Sequence, residues 1–334
     1  MKKKIINVGI IGLGVGLYHY RAYINNKSVR VTSVCDFDSK KYSMINNSNI
    51  KYYKDYKKLI LDKNVDLVSI ASYDHDHYKQ IILSLKNNKH VFVEKPICLN
   101  LKELEHINNL KKTKKLIYFS SNLNLRTEKL FQNIRKDIQS HKFGKIINIQ
   151  ASYLWGRASK IDKTWRNKKN NYSFILASGT HMIDLINWLV RDYPDVVYVA
   201  SSKNSPKKFK FDLDDFINIT FKYKNGLIVN IFLNALSAHP HFHSLGIFGT
   251  QKTFNRNINS NHIINKTKKG YKTIDRAHNS FNNKNLLINN FKDKIQKKNK
   301  FDLISYKEIY YLMKICFACI ESSKKSKKIK IKYK

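Results

Sequence analysis

Apolar residues in the first third of the chain fall in short continuous runs separated by segments with helical spacing. Residues 5–11 are one such run, ending in glycines, and suit a strand buried on both faces. A helix should follow over about 16–25. Residues 29–35 (VRVTSVC) form a second β-rich run that closes on Asp36, and 51–53, 66–71, 90–93 and 116–120 read as further strands. Tyr78, Ile81, Ile82 and Leu85 recur at helical spacing within 76–86. Asn100, with Glu103 three residues later, gives a capping box for a helix to about 110. Strands alternating with helices predict βαβ units in a doubly wound parallel sheet.

The texture changes after Asn122. Residues 128–139 read as one helix, followed by longer runs with β character at 145–155, 196–201, 216–223 and 227–236. Asn225-Gly226 between the last two is a hairpin signal. Two more strands are expected at 244–248 and 252–255, a helix at 178–190 and a final helix at 305–322, before a short alternating KIKIKY tail. Hairpin-joined strands predict a large, mostly antiparallel sheet with helices on one face. The expected class is α/β: residues 1–122 as a parallel-sheet domain, and 123–334 as an α+β domain with a closing C-terminal helix. No internal repeat or long linker interrupts the chain.

At 334 residues, about two domains are expected, and 42% hydrophobic residues suffice for a large core. Four cysteines are too few for a disulfide scaffold. The excess of 63 Lys+Arg over 24 Asp+Glu gives +39, which ordinarily points to nucleic acid or an anionic membrane. Here lysine accompanies abundant Asn and Ile along the whole chain. All three have A/T-rich codons, so the excess reads as base composition rather than a partner. It would still draw anionic substrates. The basic, then apolar, start imitates a secretory signal but lacks a small-x-small cleavage site. No stretch approaches the ~18–20 apolar residues of a membrane span. The expectation is a cytoplasmic protein with reduced thiols.

Gly12-Leu-Gly14-Val-Gly16 follows the first strand and opens the first helix. Glycines there allow a tight turn and close approach of a pyrophosphate to the helix N-terminus. The third glycine falls one position early for a strict G-x-G-x-x-G. Asp36, closing the second strand, lies where an acid takes the ribose hydroxyls of NAD. Ser39, Lys40 and Lys41 just beyond could accept a 2′-phosphate, so NADP stays open beside the favoured NAD.

His90-Val-Phe-Val-Glu94-Lys95-Pro96 behind such a glycine turn resembles the glucose–fructose oxidoreductase / inositol dehydrogenase (Gfo/Idh/MocA) family. Ser72-Tyr-Asp74-His-Asp-His77 resembles the family's Thr-Pro-Asn-x-x-His segment, with Tyr73 in place of proline. Gly179-Thr-His181-Met-Ile-Asp184 resembles its Gly-x-His-x-x-Asp helix. The resemblance implies a Rossmann domain that binds a nicotinamide cofactor. It also implies a second domain whose open sheet often forms a homodimer or homotetramer interface. Hydride transfer would involve a sugar, nucleotide-sugar, inositol or related polyol. Ser72, Asp74, His77 and Glu94 join the glycines and Asp36 as cofactor-site candidates, and Glu94 could also orient Lys95.

Hydride leaves a carbinol carbon readily only if the hydroxyl proton leaves too, so an acid/base must reach that oxygen. Lys95, at the carboxyl end of a parallel strand, is the candidate. A partly buried lysine has a lowered pKa suited to the task. The resemblance makes His181 its partner and leaves Asp184 structural. Many catalytic members carry an aspartate four residues before this histidine, where this chain has Ala177. Asn122 and Arg126, after the sixth strand, are substrate candidates. So is the aromatic–arginine cluster of Tyr153, Trp155 and Arg157 with Trp165 and Arg166, since aromatic faces stack on sugars and arginine forks bind anions. His239, His241 and His243 are expected in a loop with no acid or cysteine nearby, so no metal is assigned. Cys316 and Cys319 read as helix packing. Two other readings keep the fold: an NAD-dependent glycosidase that oxidises its sugar transiently, and a non-catalytic NAD- or sugar-sensing protein. Specific nucleic-acid and membrane binding are not expected.

Overall fold

The computed structural model describes residues 5–45, 47–164, 166, 172–206, 213–268, 270–276, 285–298 and 302–333. In chain order it runs β1 (Ile6–Ile11), α1 (Gly16–Ile24), β2 (Val29–Cys35), β3 (Lys51–Tyr53), α2 (Tyr56–Leu61), β4 (Leu67–Ile70), α3 (Asp74–Lys86), β5 (His90–Val93), α4 (Leu101–Thr113) and β6 (Phe119–Ser121). Then come α5 (Lys129–Gln139), β7 (Ile146–Leu154), α6 (Ala158–Asp162), a π-helical turn at Ile175–Gly179, α7 (Thr180–Val190), β8 (Val196–Ser202), β9 (Phe216–Lys222) and β10 (Ile228–Asn234). The chain closes with β11 (Phe242–Gly249), β12 (Lys252–Arg256), β13 (Asn261–Thr267), β14 (Gly270–Arg276), α8 (Asn285–Ile295), α9 (Tyr306–Lys325) and β15 (Ile329–Lys330).

Two compact units result. One holds Met1–Asn124 with Asn283–Met313, and the other Leu125–Asn282 with Lys314–Lys334. The single division after residue 122 expected from sequence omits the later segment that returns to the first unit.

Among the described residues the first unit has a six-stranded parallel sheet, ordered β3-β2-β1-β4-β5-β6. The strand order reverses between β1 and β4, the switch point at which such sheets take ligands at their carboxyl edge. Burial on both faces explains the unbroken apolar runs: Val8, Ile10, Leu67, Val68, Ile70, Val91, Phe92 and Val93 are all fully buried. Asn100 caps α4 by accepting the Glu103 N–H at 2.9 Å. Glu103 reaches back to the Leu99 N–H at 2.9 Å, a capping box displaced by one residue. The returning α8 lies against this unit through Leu287, Ile288 and Phe291, with Phe291 5.7 Å from Phe92.

Among the described residues the second unit holds a nine-stranded sheet, ordered β14-β13-β12-β11-β7-β10-β9-β8-β15. Its pairs are antiparallel except β7 with β10. The β9–β10 hairpin turns at Gly226, which takes φ +88°, as the Asn-Gly signal predicts. Alternation is clean on these strands. Ile217, Ile219, Phe221, Val229, Ile231 and Leu233 are buried, while Phe216, Phe232 and Tyr198 point to the open face. No helix among the described residues is long and apolar enough to cross a membrane.

Candidate active site

In the first unit the glycine turn is built as its spacing demands. Gly12 takes φ +87°, and a Cβ there would lie 2.4 Å from the Ala71 carbonyl oxygen. A Cβ on Gly14 would meet nothing within 4 Å, so the space over this residue is open. Gly16 is buried, and a Cβ there would press on Ile10 at 3.1 Å, so glycine lets α1 lie close on the sheet. Val15 at the N-cap of α1 supplies no side-chain hydrogen bond. A helix end without a capping side chain, next to a residue with empty space above it, suits a diphosphate.

Asp36 follows β2 and is buried. Its Oδ2 accepts the Leu13 N–H at 2.6 Å, which ties the glycine turn to the second strand. Its Oδ1 accepts the Asp38 N–H at 2.9 Å. The Lys41 ammonium bonds both oxygens, at 3.3 and 3.2 Å. Beside it, the exposed Phe37 ring lies 5.2 Å from Lys41 Nζ and 5.7 Å from the Tyr73 ring.

Glu94 and Lys95 leave the carboxyl end of β5, and the Lys95–Pro96 bond is cis. Glu94 Oε1 lies 3.1 Å from His19 Nε2 and accepts from Asn122 Nδ2 at 2.6 Å. The other His19 nitrogen meets Ser69 Oγ at 2.9 Å. Burial alone would raise the Glu94 carboxyl. His19, Lys95 and Asn122 outweigh it and hold the group below its ordinary value. Asn122, expected at the substrate, therefore spends its amide on Glu94. His77, expected at the cofactor, is fully buried with Nδ1 2.7 Å from Pro96 O and Nε2 3.2 Å from Ser72 O. It pins the Glu-Lys-Pro turn to the loop after β4. Ser72 donates to Gln80 Oε1 at 2.7 Å, and Asp74 opens α3.

In the second unit Arg126 is 2% exposed and forks onto Asp184, Nε to Oδ2 at 3.0 Å and Nη2 to Oδ1 at 2.6 Å. This buried pair ties the start of the unit to α7, so the expectation that Arg126 binds substrate gives way to a structural role. Arg157 is exposed after β7. Arg166 is half-buried and lies 5.7 Å from the Tyr172 ring, whereas Trp165 falls outside the described residues. His181 is half-buried in the first turn of α7. The expected helix at 178–190 begins instead with the π-helical turn, which carries Ala177 and Ser178. His243 lies in β11, not in the loop expected for it, and His241 immediately precedes that strand. Among the described residues no group of three or more His, Cys, Asp or Glu is placed to hold a metal ion. Cys316 and Cys319 are buried in α9, and burial pushes the Cys316 thiol up to about 12.

The family profile described as "Oxidoreductase family, NAD-binding Rossmann fold" matches residues 6–122, and that of the "GFO/IDH/MocA C-terminal domain" matches 131–255. The chain belongs to the Gfo/Idh/MocA family. It is 25% identical over 234 residues to an inositol 2-dehydrogenase/D-chiro-inositol 3-dehydrogenase of Lactiplantibacillus plantarum, covering 68% of this chain and 64% of that protein. The match thus spans less than two thirds of that relative's length. A glycosyl hydrolase family 109 protein of Phocaeicola vulgatus is 26% identical over 181 residues, 51% of this chain and 35% of that protein. Among solved structures, myo-inositol 2-dehydrogenase from Lactobacillus plantarum superimposes with a TM-score of 0.79 at 21% identity, covering 98% of this chain and 100% of the other. Levoglucosan dehydrogenase in complex with NADH and levoglucosan gives 0.84 at 18%, covering 99% and 100%. Both likenesses are of fold.

For this Gfo/Idh/MocA chain the residues fit the dinucleotide. The open space over Gly14 and the N-terminus of α1 would hold the pyrophosphate, and Asp36 with Lys41 would meet the adenosine ribose. Reading the sequence left out Phe37 and His19, and it named Tyr153, His181, His241 and His243 without bringing them together. A large aromatic directly after the strand-ending acid was the available signal for the first. The others depend on register and on which helix face meets the sheet.

Proposed function

We propose that this protein is an NAD(P)-dependent oxidoreductase that interconverts a CH–OH group and a carbonyl on a sugar, nucleotide-sugar or polyol. The observation that supports this most is the Glu94-Lys95-Pro96 segment at the carboxyl end of β5, on the same sheet edge as the glycine turn and Asp36. The nicotinamide, when bound, supplies the hydride acceptor. In the oxidative direction the neutral Lys95 amine takes the substrate hydroxyl proton at Nζ, and in the reductive direction the ammonium returns it. Glu94, fixed by His19 and Asn122, anchors the strand end from which Lys95 projects. His181 is the second proton-transfer group. Relatives named for inositol oxidation, and a fold neighbour bound to levoglucosan, support a cyclic polyol or sugar as substrate.

The protein acts in the cytosol, and the open sheet face bearing Tyr198, Phe216 and Phe232 joins copies into a homodimer or homotetramer. A second reading draws on the glycosyl hydrolase relative: a glycosidase that oxidises its sugar transiently and reduces it again. Mass spectrometry of the denatured protein should release a nicotinamide dinucleotide. A sugar and polyol panel read at NADH absorbance should then find a substrate. Release of a glycoside leaving group with no net NADH would favour the glycosidase, and neither signal would leave a sensor. Lys95→Ala should cut turnover by roughly 100-fold or more, the usual worth of a positioned acid/base, and leave dinucleotide affinity intact.

A further inference from the structure

The covered face of the large sheet carries a cluster of tyrosine and histidine drawn from segments far apart in the chain. Tyr153 is buried on β7, and the strand register sets His243 of β11 opposite it. The Tyr153 hydroxyl lies 2.9 Å from His241 Nε2, and Ser178 also hydrogen-bonds it. One hydroxyl thereby joins three segments: β7, the π-helical turn with Ala177 and Ser178, and the chain entering β11. The His181 ring lies parallel to Tyr153, 8° between planes and 6.3 Å between centroids. His243 stands edge-on to both, 4.6 Å from Tyr153 and 6.5 Å from His181.

A histidine that moves a proton must be held in one orientation, and the common device is a hydrogen bond to a carboxylate. Ala177 has no group to make one. We propose that Tyr153, anchored by His241, is the positioning residue for His181 and takes over the orienting part of the carboxylate that Ala177 lacks. This rests on the proton-transfer role of His181 given above.

The electrostatics suit a clamp without charge. Burial, then Arg157 and Lys160, bring His241 down to about 4. Burial, then His241, Arg256 and Arg157, bring His243 down to about 3. Burial pushes Tyr153 up to about 12. Near pH 7 all three are neutral. Tyr153 and His241 can share one proton along their 2.9 Å bond, in either direction. His243 Nε2 is buried with no hydrogen-bond partner among the described residues. An unsatisfied buried polar atom is uncommon and marks a place where stability has been given up. Such loss is expected where ring packing, not hydrogen bonding, sets the geometry.

The test is the imidazole ¹H–¹⁵N spectrum of the full-length protein without substrate, with the His181 signals assigned from their loss in His181→Gln. Tyr153→Phe keeps the ring and removes both hydroxyl bonds. It should shift or broaden the His181 signals and lower kcat about 10- to 100-fold with KM little changed, the effect of misplacing a catalytic group. His241→Ala should do the same. His241→Gln, whose amide can still bond the tyrosine oxygen, should restore both readouts. Unmoved His181 signals in Tyr153→Phe and His241→Ala would overturn the proposal, as would an effect that His241→Gln fails to restore. If the parent turns over no substrate, the oxidoreductase reading fails, and the spectrum alone still tests the clamp.

Discussion

The ammonium of Lys41 bonds both carboxylate oxygens of Asp36, at 3.3 and 3.2 Å. An unpaired acid after the second strand takes ribose hydroxyls and repels a 2′-phosphate. Here the charge it would use for repulsion is matched by a lysine at the mouth of the same site. NADP should therefore bind within about tenfold of NAD, a difference worth only about 1.4 kcal/mol. Lys41→Ala should weaken NADP by roughly 10- to 100-fold, the range of a charge-assisted hydrogen bond, and leave NAD nearly unchanged. Titration calorimetry with each dinucleotide measures this directly. An equal loss for both would make Lys41 a brace for Asp36 rather than a selector.

The glycine turn separates fold from binding at two positions. Gly14→Val adds a side chain into open space and should leave the melting temperature nearly unchanged, yet lower dinucleotide affinity by roughly tenfold or more. Gly12→Ala forces a Cβ against the Ala71 carbonyl at φ +87°, and should destabilise the fold by about 1–3 kcal/mol. Thermal melts beside calorimetry distinguish the two. A Gly14→Val protein that binds NAD like the parent would show that the diphosphate lies elsewhere.

Local patterns made the first sheet legible. Its strands are continuous apolar runs, and the turns that matter end in glycine or in Glu-Lys-Pro. β13, β14 and α8 went unread because Asn and Lys crowd them and imitate loops. In α8 the clue was Leu287, Ile288 and Phe291 at helical spacing, all buried. For α2 it was Asp55, whose side chain caps the helix by accepting the Lys57 N–H at 2.9 Å. Candidate side chains were legible by type, not by partner. Arg126, His77 and Asn122 each looked like a ligand contact. Each is spent on another part of its own unit: Asp184, two backbone carbonyls, and Glu94. Three of these four pairings span 58, 19 and 28 residues and follow from packing, which local spacing does not encode; the fourth, His77 with the Ser72 carbonyl, spans 5.

The buried Arg126–Asp184 fork should behave as a structural pair. Removing one charge leaves the other desolvated and unpaired, at a cost of about 3–5 kcal/mol. Arg126→Met should therefore lower the urea midpoint strongly. Asp184→Leu added to it should recover a large part of that loss, because two apolar groups leave no orphan charge. A substrate-binding arginine would give the reverse: a stable Arg126→Met protein with a raised KM.

Stability should fall on mild acidification, and His243 should carry part of the fall. Burial is the chief reason that His243 is brought down to about 3 from an ordinary value of 6.5. Folded, it stays neutral; unfolded, it takes a proton once the pH drops below about 6.5. The unfolded state then binds more protons, so stability is fully present above pH ~6.5 and is lost progressively toward pH ~3. Between pH 7.5 and 5.0 this one residue should cost on the order of 1–2 kcal/mol. His241, brought down to about 4 but more exposed to solvent, should add less. Urea unfolding of the parent and of His243→Asn at both pH values isolates the contribution. The asparagine variant cannot titrate there, so its loss between the two pH values should be smaller than the parent's by that amount. Equal losses would mean that His243 takes up its proton in the folded protein as it does in the unfolded one over this range, so that the ring is not held neutral by the fold.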